Sequence, residues 1–131
     1  MSLYRGVMSK TSADTTALRL AALCAGMGAL HFVKPQPFDD LIPPTLPGSA
    51  RFWTYASGVA ELGTAALLVN PSTRRLGGRA ASALFVGVFP GNLQMAWDWR
   101  HESLPKRTVA LLRLPLQARL VAQAEKVHKG A

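Results

Sequence analysis

Four polar side chains lie inside long apolar stretches of the sequence and are its first candidates for chemistry: His31, Glu61, Asn92 and Arg113. An ionised carboxylate in hydrocarbon is costly, so Glu61 must be paired, hydrated or protonated. The sequence predicts Arg113 as its partner in a buried ion pair. That pair could simply join two helices, Glu61 could instead handle a proton or bind a ligand, or Glu61 could face solvent.

Two more side chains belong to the same predicted site. Gln117 lies one helical turn after Arg113 on the same helix face, and Tyr55 lies six residues before Glu61, above it on the same predicted helix. The Tyr55 hydroxyl could donate a hydrogen bond to the carboxylate. If the helix faces converge, the six side chains enclose one polar site that could bind a ligand or handle protons.

Two of these candidates also have structural interpretations. His31 could titrate near neutral pH or bind a head group, but it begins the sequence HFVKPQPF and could simply hydrogen-bond the loop there. Asn92 follows Pro90, where a helix kink frees a carbonyl that needs a donor. A contact with a cofactor is therefore the secondary interpretation of Asn92.

The sequence contains no complete catalytic motif. Its one cysteine, Cys24, excludes an internal disulfide and a CxxC pair. The three histidines have no metal-ligand spacing, and no nucleophile elbow or glycine-rich phosphate loop is present. We therefore expect no metal site and no intrinsic cofactor, and a chain that is not an enzyme by itself.

The composition favours a lipid environment. Apolar residues make up 49% of the chain and charged residues 17%, and the mean hydropathy is positive, at +0.14. The charges are concentrated in short stretches between long runs of Ala, Leu, Val, Gly and Phe. This distribution is typical of a polytopic membrane protein rather than a soluble domain.

Four apolar segments are predicted as transmembrane helices of one all-α, four-helix bundle. A bilayer core takes about 20 apolar residues in a helix. The predicted helices cover about 17–33, 51–69, 76–97 and 104–122. A signal peptide is the competing interpretation of the first, but no clear cleavage site is visible. Arg113 and Arg119 interrupt the fourth, which should insert only if these charges find partners or reach the interface.

The segments between and beside these helices complete the predicted organisation. Residues 34–49 contain five prolines, which forbid a regular helix and predict an ordered or interfacial loop. Residues 1–16 are predicted as an N-terminal cytoplasmic segment, and residues 123–131 as a basic cytoplasmic tail. Small residues such as Gly28, Gly58 and Gly63 would allow the helices to approach closely.

The net charge of +8 is interpreted as membrane anchoring. Clustered basic residues can indicate nucleic-acid binding, but here they flank the apolar segments, where they would contact anionic lipid head groups. More of them flank one side of the predicted bundle: Arg5, Lys10, Arg19, Arg74, Arg75, Arg79, Arg119, Lys126 and Lys129. This bias predicts a multi-pass protein of the bacterial plasma membrane with both termini in the cytoplasm, and no nucleic-acid partner.

Residues 28–78, followed by VFPGNLQMA and RLPLQ, resemble the DoxX-like family of small four-helix membrane proteins. That family has an HFxxPxxF segment, an SGxxE helix, a PxTRR turn and a helix with FPAN. The matching positions are His31, Pro35, Phe38, Ser57, Gly58, Glu61, Arg74, Arg75, Pro90 and Asn92. Gly91 replaces the usual alanine. The resemblance implies a link to quinone-linked oxidoreductases or their maturation, but no catalytic residue set.

Two functions from different classes follow as hypotheses. The first is a noncatalytic accessory or anchoring subunit of a bacterial membrane complex linked to redox chemistry, with an oxidoreductase, membrane lipids and a second copy of itself as candidate partners. The alternative is a protein that binds a quinone, a lipid or another small amphipathic ligand, with a proton-handling Glu61. A transporter is the least favoured interpretation, because four short helices without a repeat leave little room for alternating access.

Overall fold

The computed structural model describes residues 2–130, with side chains from residue 12 onward. In the described residues the regular structure is helical, without a strand, which confirms the all-α prediction at that level. The helices are α1 (Ser2–Val33), α2 (Gln36–Asp39), α3 (Ala50–Val69), α4 (Arg74–Gly87), α5 (Phe89–Asp98) and α6 (Leu104–Lys129).

The first and last helices are longer than the predicted spans. The backbone of α1 is already helical from Ser2, and α6 continues to Lys129. Most of the segments predicted as flanking cytoplasmic regions, 1–16 and 123–131, therefore extend the helices. Met1 and Ala131 lie outside the described residues, as do the side chains of Arg5 and Lys10, which contributed to the predicted orientation.

The third apolar segment forms two helices instead of the single kinked helix predicted at 76–97. Helix α4 ends at Gly87, Val88 lies between the helices, and α5 begins at Phe89 with Pro90 in its first turn. A proline fits a first helical turn because its missing N–H has no partner there in any case. The local sequence therefore starts a new helix here.

One described helix is long and apolar enough to cross a membrane. Within the segment Ser12–Val33 of α1, an 18-residue window has a mean hydropathy of 1.5, and 33% of that window is buried within the chain. Core helices of soluble proteins and signal sequences also reach such values. Helices α4 and α5 are too short individually, and α6 carries Lys106, Arg107, Arg113 and Arg119.

The long helices pack in a ring. Helix α1 packs along α3, α3 along α4, α4 along α6, and α6 against α1, while α5 packs on α6. Helices α3 and α6 therefore lie on a diagonal of the bundle. We call the end with the α3–α4 turn and the last turn of α6 the basic end, and the end with residues 34–49 and 99–103 the loop end.

The apolar core lies toward the basic end. Its buried members come from four helices: Ala17, Leu20, Ala21, Leu68, Ala81, Ala124 and Val127, with Phe85 and Leu120 packed against them. Most of these side chains are small, so the helix backbones approach closely. The loop end has fewer buried apolar residues and more buried polar ones, including His31, Thr54, Asn92 and Gln117.

Two adjacent glycines place α4 against both neighbouring helices. A Cβ atom on Gly77 would lie 2.8 Å from the Leu68 amide nitrogen of α3, and one on Gly78 would lie 2.5 Å from the His128 amide nitrogen of α6. Real Cβ atoms do not approach backbone so closely, because the atoms would overlap. Both helix contacts therefore require glycine.

Candidate functional site

His31 and Glu61 are brought together at the loop end. His31 is 6% exposed, and its Nδ1 atom lies 2.5 Å from the Met27 carbonyl oxygen. A carbonyl can only accept, so this nitrogen carries a proton. Glu61 Oε2 lies 3.7 Å from the same nitrogen. The Phe38 ring stacks on the imidazole with centroids 3.8 Å apart, so the loop covers this pair.

The predicted ion pair between Glu61 and Arg113 is wrong. In the described part of the chain, the side chain within ion-pair distance of Glu61 is His31, while Arg113 Nη1 donates to Met95 Sδ at 3.4 Å. The two residues lie on helices that are diagonal in the bundle. Apolar patterning indicates depth along a helix and leaves the order of helices around the ring open.

Asn92 and Gln117 form a second polar pair. Asn92 Nδ2 donates a hydrogen bond to Gln117 Oε1, and both side chains are buried between α5 and α6. The sequence predicted both as candidates but not their contact. The sequence does contain a feature that could have indicated this contact. Pro90 precedes Asn92 by two residues, and Pro115 precedes Gln117 by two residues, so each amide follows a proline that interrupts the hydrogen bonding of its helix.

Tyr55 contacts aromatic and basic side chains instead of the Glu61 carboxylate. Its ring stacks on Phe32 with centroids 5.1 Å apart, and the Arg51 guanidinium carbon lies 5.6 Å from its centroid. Tyr55 is 38% exposed. The six predicted site residues therefore fall into the pairs His31–Glu61 and Asn92–Gln117, with Arg113 and Tyr55 in separate contacts.

Each polar pair leaves one atom without a hydrogen-bond partner. Glu61 Oε2 and Gln117 Nε2 are buried, and neither makes a hydrogen bond within the described residues. Buried polar atoms of this kind are uncommon and are often found where a ligand, water or proton is exchanged. Of the predicted site residues, Glu61 and Gln117 are therefore the two with a buried polar atom that could hydrogen-bond a bound molecule.

Sequence reasoning missed the contact that holds the proline-rich loop. The Thr54 hydroxyl donates to Asp39 Oδ1 at 2.6 Å, and Arg51 Nε donates to Asp39 Oδ2 at 2.9 Å. The Thr54 hydrogen bond, followed by Arg51, holds the pKa of Asp39 below its usual value of 3.8. Asp39 thus fixes the loop on the first turns of α3, beside the ring of Phe38.

Acid is expected to release this loop. Because the pKa of Asp39 is lowered on folding, its contribution is present above 3.8 and is lost as the pH falls through the folded value. We expect Asp39→Asn to raise amide hydrogen exchange in residues 34–54 several-fold at neutral pH and to remove most of the acid dependence. Asp40→Asn is the matched control, since Asp40 is exposed and bonds only Gln36. Equal exchange in both variants would contradict the role of Asp39.

The described residues contain no cluster of side chains that could bind a metal ion. No group of three or more His, Cys, Asp or Glu side chains there is close enough to hold an ion. Cys24 is buried in α1, where its thiol has no second cysteine. The polar groups that these residues supply are the Glu61 carboxylate, the His31 imidazole and the Asn92 and Gln117 amides.

A family model described as a domain of unknown function, DUF8561, matches residues 20–128. The chain belongs to this family. The DUF8561 match contains all six predicted site residues and every long helix in whole or in part. No curated protein and no solved structure matches the chain.

The DoxX-like resemblance is therefore wrong, because the family that matches is DUF8561. The motifs that suggested it have local structural explanations. Gly58 lets Phe32 and His31 approach α3, and Arg74 bonds the end of α3. Any small bundle with close helix contacts and a tight turn needs such residues. In this chain the motifs therefore mark close helix contacts and the α3–α4 turn.

Proposed function

We propose that this protein is a noncatalytic accessory or anchoring subunit of a larger complex in the bacterial plasma membrane. In this proposal α1, α3, the α4–α5 pair and α6 all cross the bilayer, with the basic end in the cytoplasm. The family assignment indicates no reaction. It also gives no support to a link with redox enzymes, which only the DoxX-like resemblance had implied.

The apolar outer face of α6 is the observation that supports this proposal. Leu104, Val109, Leu111, Leu112 and Leu116 are each more than half exposed. The whole surface measures 8272 Å², against about 6,700 Å² for a compact soluble protein of this mass. A surface so large and apolar needs lipid or protein to cover it.

The polar candidates support an accessory role because they are largely used inside the chain. Asn92 bonds Gln117, His31 bonds Met27, and Arg113 contacts Met95. A catalytic site presents its polar groups to a substrate, whereas two of these contacts join α5 to α6 and the third lies within α1. What the folded chain offers to a partner is its apolar helix faces.

Gentle purification from native membranes tests this proposal. We expect mass spectrometry to find a larger membrane protein in fixed stoichiometry with the chain. The variant Leu112→Gln should reduce that recovery about tenfold, whereas Leu46→Gln, in the proline-rich loop, should not. Recovery of the chain alone, or only as copies of itself, would contradict the accessory role.

A second candidate function rests on the unbonded Glu61 oxygen. The buried Oε2 atom accepts no hydrogen bond within the described residues and lies beside the protonated Nδ1 of His31. This pair could bind the polar head of a quinone, a lipid or another small amphipathic ligand and transfer a proton to it. Phe38 would lie against the bound head group, since it already stacks on His31.

Replacing Glu61 by glutamine separates this candidate from a structural role. Glutamine keeps the size of the side chain and removes the titrating carboxyl, so we expect a co-purifying ligand to fall about tenfold while the melting temperature stays within a few degrees. Glu102→Gln, at an exposed acid, is the control. Unchanged ligand content in Glu61→Gln would remove the ligand and proton role.

A further inference from the structure

The basic end contains an open pocket of about 430 Å³ between α1, the α3–α4 turn and the end of α6. Its lining includes Asp14, Pro71, Arg74, Arg75 and Lys129. A water molecule takes about 30 Å³ in the liquid. The pocket is therefore large enough for a phosphate group together with a short polar substituent.

Arg74 neutralises the one acid that lines this pocket. Its Nη1 atom lies 2.6 Å from Asp14 Oδ1, and its other donors bond the carbonyls of Leu68 and Val69. All three of its nitrogens are thus used within the chain. The acid of α6 closest in sequence to Lys129, Glu125, is paired with Arg79 at 3.5 Å, and the charge of Lys129 also acts on it.

Arg75 and Lys129 keep their charge available to a ligand. Arg75 is held at its base, because its Nε atom donates to the His128 carbonyl at 3.0 Å and the His128 ring bonds the Arg75 carbonyl in return. Its two terminal NH₂ groups make no hydrogen bond with the described residues, and Lys129 forms no ion pair there within 4 Å. A fixed guanidinium with two free donors matches the oxygens of a phosphate.

We propose that this pocket binds a phosphate group, with Arg75 as the bidentate donor and Lys129 as a second positive charge. The phosphate could belong to an anionic phospholipid of the cytoplasmic leaflet or to a free phosphate in solution. The lipid source rests on the proposed membrane placement, in which the basic end lies at the inner surface. The free source is independent of that placement.

The test uses the full-length chain, first stripped of lipid in neutral detergent. Phosphatidylglycerol binding is measured by native mass spectrometry in nanodiscs of phosphatidylcholine with added phosphatidylglycerol, and inorganic phosphate binding is measured by calorimetry in detergent. The pocket variant is Arg75→Gln/Lys129→Gln. Its control, Arg19→Gln/Arg119→Gln, removes the same charge at two exposed positions outside the pocket. Lys129→Glu against Arg119→Glu repeats the comparison without changing the Arg75 contact with α6.

A loss of about tenfold or more in the pocket variants, with the controls close to the unmodified chain, is the expected result, since each basic residue near an anionic surface contributes about fivefold. Loss confined to phosphatidylglycerol identifies the lipid source, and loss of inorganic phosphate binding identifies the free source. Equal losses in pocket and control variants, or no binding of either probe, would overturn the proposal. If the pocket binds phosphate but purification from native membranes recovers no partner protein, the phosphate site is supported and the accessory role is contradicted.

Discussion

Gly78→Ala is expected to destabilise the protein by about 3 kcal/mol, because among the described glycines a Cβ atom at Gly78 would make the closest contact with another helix backbone. The added Cβ would lie 2.5 Å from the His128 amide nitrogen and 2.7 Å from the Ala124 carbonyl oxygen. Both atoms are helix backbone, which cannot rotate away as a side chain can. Helices α4 and α6 would have to separate along their whole contact.

Thermal unfolding in detergent, followed by circular dichroism, measures this effect. Gly63→Ala is the matched control, because Gly63 also lies in a helix and a Cβ there meets nothing within 4 Å. Alanine should be neutral or slightly stabilising at that position, since glycine costs about 1 kcal/mol in a helix interior. Similar melting temperatures for the two variants would show that α4 and α6 do not cross as closely as described.

Arg74→Gln is expected to cost about 2–3 kcal/mol and to loosen the basic end. Arg74 donates to one carboxylate and two carbonyls, and its side chain is only 13% exposed. Hydrogen bonds from charged donors contribute about 1.5–3 kcal/mol, and their loss leaves the part-buried Leu68 carbonyl without this donor. Lysine should rescue little, because an ammonium group cannot reach three acceptors in different directions.

Amide hydrogen exchange at the end of α3 and in the α3–α4 turn, residues 66–74, reports this change directly. The control is Arg79→Gln, which removes an exposed ion pair with Glu125 and should cost less than about 1 kcal/mol. If Arg79→Gln destabilised the chain as much as Arg74→Gln, net charge rather than the three hydrogen bonds would be the cause.

The positions of the long helices could be predicted from the sequence, because apolar runs and the five prolines of residues 34–49 mark them directly. The break at Val88 was predicted only as a kink. A proline two residues beyond the break is compatible with a bent helix or with a new one, and packing on α6 decides between them. The four spans remain a proposal, since one helix has the length and hydropathy to cross a membrane.

The candidate site was predicted by residue but not by partner. His31, Glu61, Asn92 and Gln117 were singled out because polar groups in apolar runs are costly. Their pairing depends on which helices are neighbours in the ring, and that order is fixed by close contacts at residues such as Gly58 and Gly78. Asp39 was missed because it lies in a loop, where a carboxylate can be solvated and its presence needs no partner to explain it.

In the proposed membrane placement, the break at Val88 would let the third apolar segment change the distance that it spans. Helix α4 has 14 residues and α5 has 10, so their lengths are about 21 Å and 15 Å. Neither matches a hydrocarbon thickness of about 30 Å alone. Together they can, and the angle at Val88 sets the distance they cover. In a thinner bilayer this segment would meet hydrophobic mismatch by bending at Val88, while the close crossing of α4 and α6 keeps its tilt.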